Sequence, residues 1–217
     1  MTIEHKPTSV PRPSILYFVA AATVLLTLPL RAADVTNIQQ VGNFLAAYLE
    51  FPGPSTESKV IIYINGNFGK SKQTGDPASV LSKVEVTYIL YDGLSGTYPI
   101  IANGSAQFPG GSGLHIKPSL IGASVDASLV IKDQTQTLPV VVNAGFTGVG
   151  DAFKEHIVNH FVGPNVVING RHIGSFRFAM PSGTVTIGTT TYDLGQASFS
   201  DIYFGTANSG FILISKN

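Results

Sequence analysis

From Lys59 onward apolar and polar residues alternate with a period of two. Val84, Val86, Tyr88 and Leu90 alternate with Glu85, Thr87, Ile89 and Tyr91, and Val125, Ala127, Leu129 and Ile131 alternate with Asp126, Ser128, Val130 and Lys132. Successive side chains of a strand point to opposite faces, so the pattern describes half-buried strands. Further strands are expected at 60–64, 98–102, 114–117, 138–142, 166–168, 172–180, 184–187, 190–194, 198–204 and 211–215. Asn65-Gly66, Asp92-Gly93, Asn103-Gly104 and Asn169-Gly170 supply residues that accept the positive φ of two-residue hairpin turns, which predicts antiparallel pairing.

Two segments show helical spacing instead. Across 34–49, Thr36 and Gln39 resemble a capping box, Ile38, Val41, Leu45, Tyr48 and Leu49 form one apolar stripe, and Pro52, Gly53 and Pro54 stop it. The second is 150–164, GDAFKEHIVNHFVGP, in which Asp151 can cap a short helix and Gly163 with Pro164 can end it. The expected fold is therefore all-β, mainly antiparallel, with one or two short helices. A β-sandwich is preferred and a closed β-barrel is the alternative. An outer-membrane barrel would need strands of about 9 to 11 residues and aromatic girdles, whereas these strands read as mostly shorter.

Ahead of this domain, residues 15–30 read ILYFVAAATVLLTLPL, sixteen apolar or small residues behind a flank with His5, Lys6 and Arg12. That is the layout of an export signal, with Ala32 and Ala33 as cleavage candidates, or of a retained single-pass anchor, since the length lies between the two classes. The domain organisation expected is 1–33 as signal peptide or anchor, 34–57 as helix and connection packed on the β domain, and 58–217 as one β-rich domain. Localisation is then secreted or periplasmic, or membrane-anchored with the domain outside the cytoplasm.

The chain has no cysteine, so stability must come from packing and strand pairing, which favours a bacterial envelope protein over a disulfide-bonded secreted module. Charged residues are 12% of the chain and balance to zero, leaving no basic excess to attract nucleic acid. Weak charge repulsion permits self-association. Membrane contact is expected only through the N-terminal segment, if it is uncleaved.

Candidate chemistry is sparse. On a helix His156 and His160, four apart, would share one face at ligand spacing, and zinc could recruit Asp151, Glu155 or His172 as a third donor. Ile157, however, stands where a metalloprotease carries its glutamate. No Gly-x-Ser-x-Gly elbow occurs, and Glu85, Asp126, Asp193 and Asp201 are isolated carboxylates. His172 shares parity with Phe176, Phe178 and Met180 and is expected to point inward, while Phe199 and Tyr203 share a face with Asp201. These define the ligand-binding candidates His172, Phe176, Phe178, Phe199 and Tyr203. The function expected is an exported, non-catalytic β domain for binding or assembly. The alternatives are a β-barrel carrier of, or isomerase acting on, a small hydrophobic ligand, and a metal-dependent enzyme using His156 and His160.

Overall fold

A computed structural model of the chain describes residues 35–92, 100–107, 113–132, 137–164 and 166–215. The export signal or anchor expected at 15–30 lies outside them, as do Gly93 and the 108–112 loop. The described residues form ten strands: β1 (Val35–Pro52), β2 (Ser58–Gln73), β3 (Ser79–Asp92), β4 (Ile100–Gln107), β5 (Leu114–Ile116), β6 (Gly122–Lys132), β7 (Thr137–Val162), β8 (Val166–Ile187), β9 (Thr190–Asp193) and β10 (Phe199–Ser215). The fold is all-β and antiparallel throughout.

All ten strands belong to one sheet. Neighbour follows neighbour from β1 through β2, β3, β4, β6, β7 and β8 to β10, and β10 pairs back onto β1. Among the described residues β4 and β6 share one ladder pair, Asn103 with Lys132, and the sheet is a curled half-barrel. Of the two arrangements the alternation allows, this is the curled single sheet and not two stacked ones. Curling lets the inward side chains of opposite walls touch, and Leu45, Leu49, Ile62, Ile64, Val84, Val86, Val125, Ile131, Val142, Val185, Ile202 and Phe204 pack together there.

Neither helix forms. Residues 34–49 lie in β1, apart from Asp34, which is outside the described residues, and 150–162 lie in β7. β1 is gripped on both sides, by β2 and by β10, and this pairing sets its period at two: Leu45, Ala47, Leu49 and Phe51 are the buried positions. The β-branched Val35, Thr36, Ile38 and Val41, with Gly42 mid-run, weaken the helical alternative. In the second segment Gly163 and Pro164 form part of the hairpin turn from β7 into β8, and Gly163 donates its N–H to the carbonyl of Val166 at 2.7 Å. The helical elements that do occur are single 3-10 turns at Pro118–Leu120 and Leu194–Gln196. Several Asn-Gly pairs also fail as turns, since Gly66, Gly104 and Gly170 all sit inside strands. The tight connection is instead Gly188-Thr189 between Ile187 and Thr190, with Gly188 at φ 61°.

Six strands outrun the core. Residues 35–44 of β1, 66–73 of β2, 79–83 of β3, 153–162 of β7, 166–176 of β8 and 205–215 of β10 continue as an open sheet ordered β7, β8, β10, β1, β2, β3. Here the sheltered face reverses. On the face continuous with the core, Val35 is 52% and Ile214 38% exposed, whereas on the outer face Ile38 is 7% and Leu213 9% exposed. Along these ladders Ile38 pairs with Phe211 and Leu213 with Ile168. The bend brings backbones into close approach at β1, β2 and β10. A Cβ on Gly69 would lie 2.4 Å from the Val41 carbonyl oxygen, and one on Gly205 would lie 2.2 Å from that of Ser175.

Tyr88 and Tyr192 tie β3 to β9 through a 3.1 Å hydroxyl contact. Burial, then the hydrogen bond and charge of Tyr88, push the Tyr192 phenol well above its ordinary range. A raised phenol favours the neutral folded form, so its contribution is complete below about pH 10 and is lost as pH climbs beyond it. Urea titrations from pH 8 to 11 are expected to show stability falling above pH 10, with a shallower fall in Tyr192→Phe; identical slopes would refute the assignment. The glycines give a second expectation. Gly69→Ala destabilises by about 1–3 kcal/mol through the clash, while Gly210→Ala, whose Cβ meets no atom within 4 Å, is neutral or stabilises by up to about 1 kcal/mol. Urea midpoints that shift equally and in the same direction would contradict the bend.

Candidate functional site

The outer face, not the interior, gathers the sequence-derived candidates. On β8 the core-facing parity is that of Val185 and Ile187, so the even positions His172, Phe176, Phe178 and Met180 point outward. The expectation that His172 points inward is thus corrected. Its parity with the phenylalanines holds, but the face is the opposite one. On β10, Ile202 and Phe204 take the core, and Phe199, Asp201 and Tyr203 share the outer face with the β8 set. All five ligand-binding candidates therefore lie on one side of one sheet.

Ring contacts join most of them. Phe176 lies 6.1 Å from Phe178 and 6.3 Å from Tyr203, Phe153 stacks on Phe176 at 5.3 Å, and Tyr203 meets Phe44 edge-on at 6.3 Å. A second group brings Phe199 to Tyr48 at 5.8 Å and Tyr48 to Tyr63 at 5.1 Å. Edge and offset geometries of this kind suit the ring quadrupoles. Phe153 and Phe178 remain exposed. Phe44, Tyr48 and Phe153 were hidden from sequence reading because their segments carry helical spacing; strand parity alone would have placed them on this face.

Next to the aromatic row Phe153, Phe176, Phe44 runs a row almost without side chains. Gly174, Ala207, Gly42 and Gly69 face one another across β8, β10, β1 and β2, with Glu155 on β7 at one end. At ordinary strand spacing this floor is about 14 Å long. Its far wall is polar: His172, Ser209, Gln40 and Ser71 are successive ladder partners. The result is a trough with an aromatic wall, a glycine floor and a hydrogen-bonding wall.

His172 Nδ1 lies 2.7 Å from Ser209 Oγ, and its Nε2 lies 4.0 Å from Glu155 Oε2. The sequence serine, imidazole, carboxylate is that of a nucleophilic triad. Both Ser209 and His172, however, sit on strands paired on either side, so their backbone N–H groups belong to the ladders and no free pair of donors stands ready for an oxyanion. The trio forms part of the polar wall.

His156 and His160 point to the opposite face from Glu155 and His172. Four residues along a strand span about 13 Å, not one helical turn, so the two imidazoles do not converge on one ion. Each has its own neighbour. Arg171 Nε donates to His156 Nε2 at 3.2 Å, and His160 Nδ1 lies 2.6 Å from Asn169 Oδ1. Among the described residues no three His, Cys, Asp or Glu side chains cluster as a metal would require.

Next to Tyr48 an ion pair joins Glu50 to Lys59. Burial raises the Glu50 carboxyl, but the hydrogen bond from Tyr48 and the Lys59 ammonium at 3.0 Å together outweigh it and leave the pKa lowered. Tyr63 is raised by burial and then by the Glu50 charge.

No protein family and no characterised protein matches this chain. Among solved structures, it is similar to a protein described as AttH from Nitrosomonas europaea, at 10% identity and TM-score 0.32, over 83% of this chain and 52% of that one. The chain thus spans about half of that protein. It is also similar to an acetoacetate decarboxylase-like enzyme from Sphingomonas wittichii RW1, at 12% identity and TM-score 0.26, over 85% and 92% of the two chains. Both likenesses are too loose to carry an argument.

The aromatic group is expected to be coupled through its rings. A double-mutant cycle on Phe176→Leu and Tyr203→Leu, read by urea unfolding, should give an interaction of about 0.5–1.5 kcal/mol. Strict additivity would show the contacts to be incidental.

Proposed function

We propose that this chain is an exported, non-catalytic β domain that binds or assembles at the cell envelope or outside the cell, and that the aromatic outer face is its binding surface. The observation that carries the reading is the coincidence of exposed rings, a glycine floor and a row of His, Ser, Gln and Ser side chains on one surface. Flat apolar rings beside spaced hydroxyl and amide groups match the two faces of a sugar, apolar on one side and hydroxylated at its edge. A glycan chain lying along the trough is the ligand class this surface fits best. The apolar run at 15–30 supports export.

Two other readings draw less support. A carrier or isomerase of a hydrophobic ligand needs an apolar chamber, and the interior residues named above pack against one another there. A metal-dependent enzyme using His156 and His160 needs those rings to converge, which a strand does not allow.

Binding to a panel of immobilised bacterial and host glycans, together with sedimentation velocity across a concentration series, tests the proposal. Expected is saturable glycan binding that falls at least tenfold in Phe153→Ser with Phe178→Ser while far-UV circular dichroism is unchanged. A protein that stays monomeric and binds nothing on the panel, or one whose binding ignores both substitutions, would remove the outer face from consideration.

A further inference from the structure

The opposite face of the same extension carries a different chemistry. Lys72, Gln39, Gly210, Arg171 and Val158 form one row across the strands, and Lys70, Val41, Asn208, Ile173 and His156 form the next. Lys154 follows, opposite Ser175. Lys70, Lys72, Lys154 and Arg171 are all exposed, and no Asp or Glu stands among the described residues of this face. In a chain whose thirteen basic and thirteen acidic residues cancel, that is a one-sided concentration of charge. The nearest described carboxylates are elsewhere: Glu155 on the outer face, Asp151 in the β7 bulge and Asp76 in the turn after β2. None of the four cations is in an ion pair among the described residues.

Toward the free end of the sheet this basic face becomes apolar. Val158, Val162, Ile212, Ile214 and Val35 are exposed there, and no Asp, Glu, Lys or Arg occurs in 35–40, 156–170 or 202–215. Between the apolar end and the lysines, Gly210 floors a groove of about 380 Å³ lined by Asn37, Gln39, Asn169, Arg171 and Ile212. The chain enters at the same end: Val35 pairs with Ile214 and stands five residues after Leu30, the last of the apolar run at 15–30. Five residues reach about 18 Å at most, so whatever holds that run holds this end of the sheet close to it.

We propose that this face docks on an anionic lipid surface. Val35, Val162, Ile212 and Ile214 enter the interfacial layer, and Lys70, Lys72, Lys154 and Arg171 lie among headgroup phosphates, with the carboxamides around Gly210 donating to the headgroup nearest Arg171. The charge pattern selects this occupant, since a neutral apolar partner would leave four desolvated cations unpaired. Each cation near such a surface raises partitioning roughly fivefold. The proposal is independent of the glycan reading, because the two surfaces are opposite faces of one sheet and share no side chain.

The chain contains no tryptophan, so a single introduced indole is an unambiguous reporter. The full-length protein carrying Ile212→Trp is reconstituted into vesicles with bromine-labelled acyl chains, either zwitterionic or containing about one-third phosphatidylglycerol. Val130→Trp, exposed at the far end of β6, serves as the control position. Expected is strong quenching of Ile212→Trp in anionic vesicles only, reversed by high salt and by adding Lys70→Gln, Lys72→Gln and Lys154→Gln, with Val130→Trp unquenched throughout. Equal quenching at both positions, or quenching of Ile212→Trp that ignores lipid charge, would overturn the proposal. So would binding of soluble polyphosphate with no quenching in vesicles, which would assign the face to a dissolved polyanion. Loss of glycan binding in the outer-face variants leaves this readout unchanged.

Discussion

The double-sided pairing of β1 is the constraint on which the rest depends. One edge of β1 is hydrogen-bonded to β2 and the other to β10, the last strand of the chain, so this pairing draws the two ends of the sequence into one curled sheet. A strand held on both edges has no freedom to slip, because a shift of one residue would carry Leu45, Ala47, Leu49 and Phe51 out of the core together. Opposite walls can then press Ile62, Val86, Val142 and Phe204 together without a disulfide or a second sheet.

Because β1, β2, β7, β8 and β10 run far past that core, the ladders continue where there is nothing left inside to bury. Backbone pairing sets the direction of each side chain, but curvature decides which direction is sheltered. Glycines at 42, 69 and 205 let neighbouring backbones approach where the bend requires it. The outcome is a thin sheet with two chemically distinct surfaces, aromatic and glycine-floored on one side, basic and apolar on the other. A single strand such as β8 serves both, alternating His172 and Phe176 with Arg171 and Ile173.

This division explains how a chain of zero net charge can carry a cationic face. Alternation of period two sorts residues by face whatever their sum, so basic residues at even positions of β2 and β7 and odd positions of β8 meet on one side, while Glu155 falls on the other. It also separates the histidines. His156 and His160 turn away from His172 and Glu155, so the residues that could have pooled their donors on one ion are divided between two surfaces.

The alternating residues by themselves determined the all-β class, because inward apolar and outward polar side chains leave a direct trace at every second residue; the strands are longer than the short ones expected, with 166–187 a single strand and 137–162 another, because ladder partners extend them past the alternating stretches. They also determined that Phe176, Phe178 and His172 share a face, and that Phe199 and Tyr203 share one. Which face that is, only tertiary structure decided: parity orders residues relative to one another, and the core is on the side where Val185 and Ile187 meet the opposite wall. The segments 34–49 and 150–162 were misleading for the same reason. Their Ile38, Val41, Leu45 and His156, His160 spacings satisfy a helix locally, and only the partner strands supply the ladders that hold the extended form: β2 and β10 for the first segment and β8 for the second.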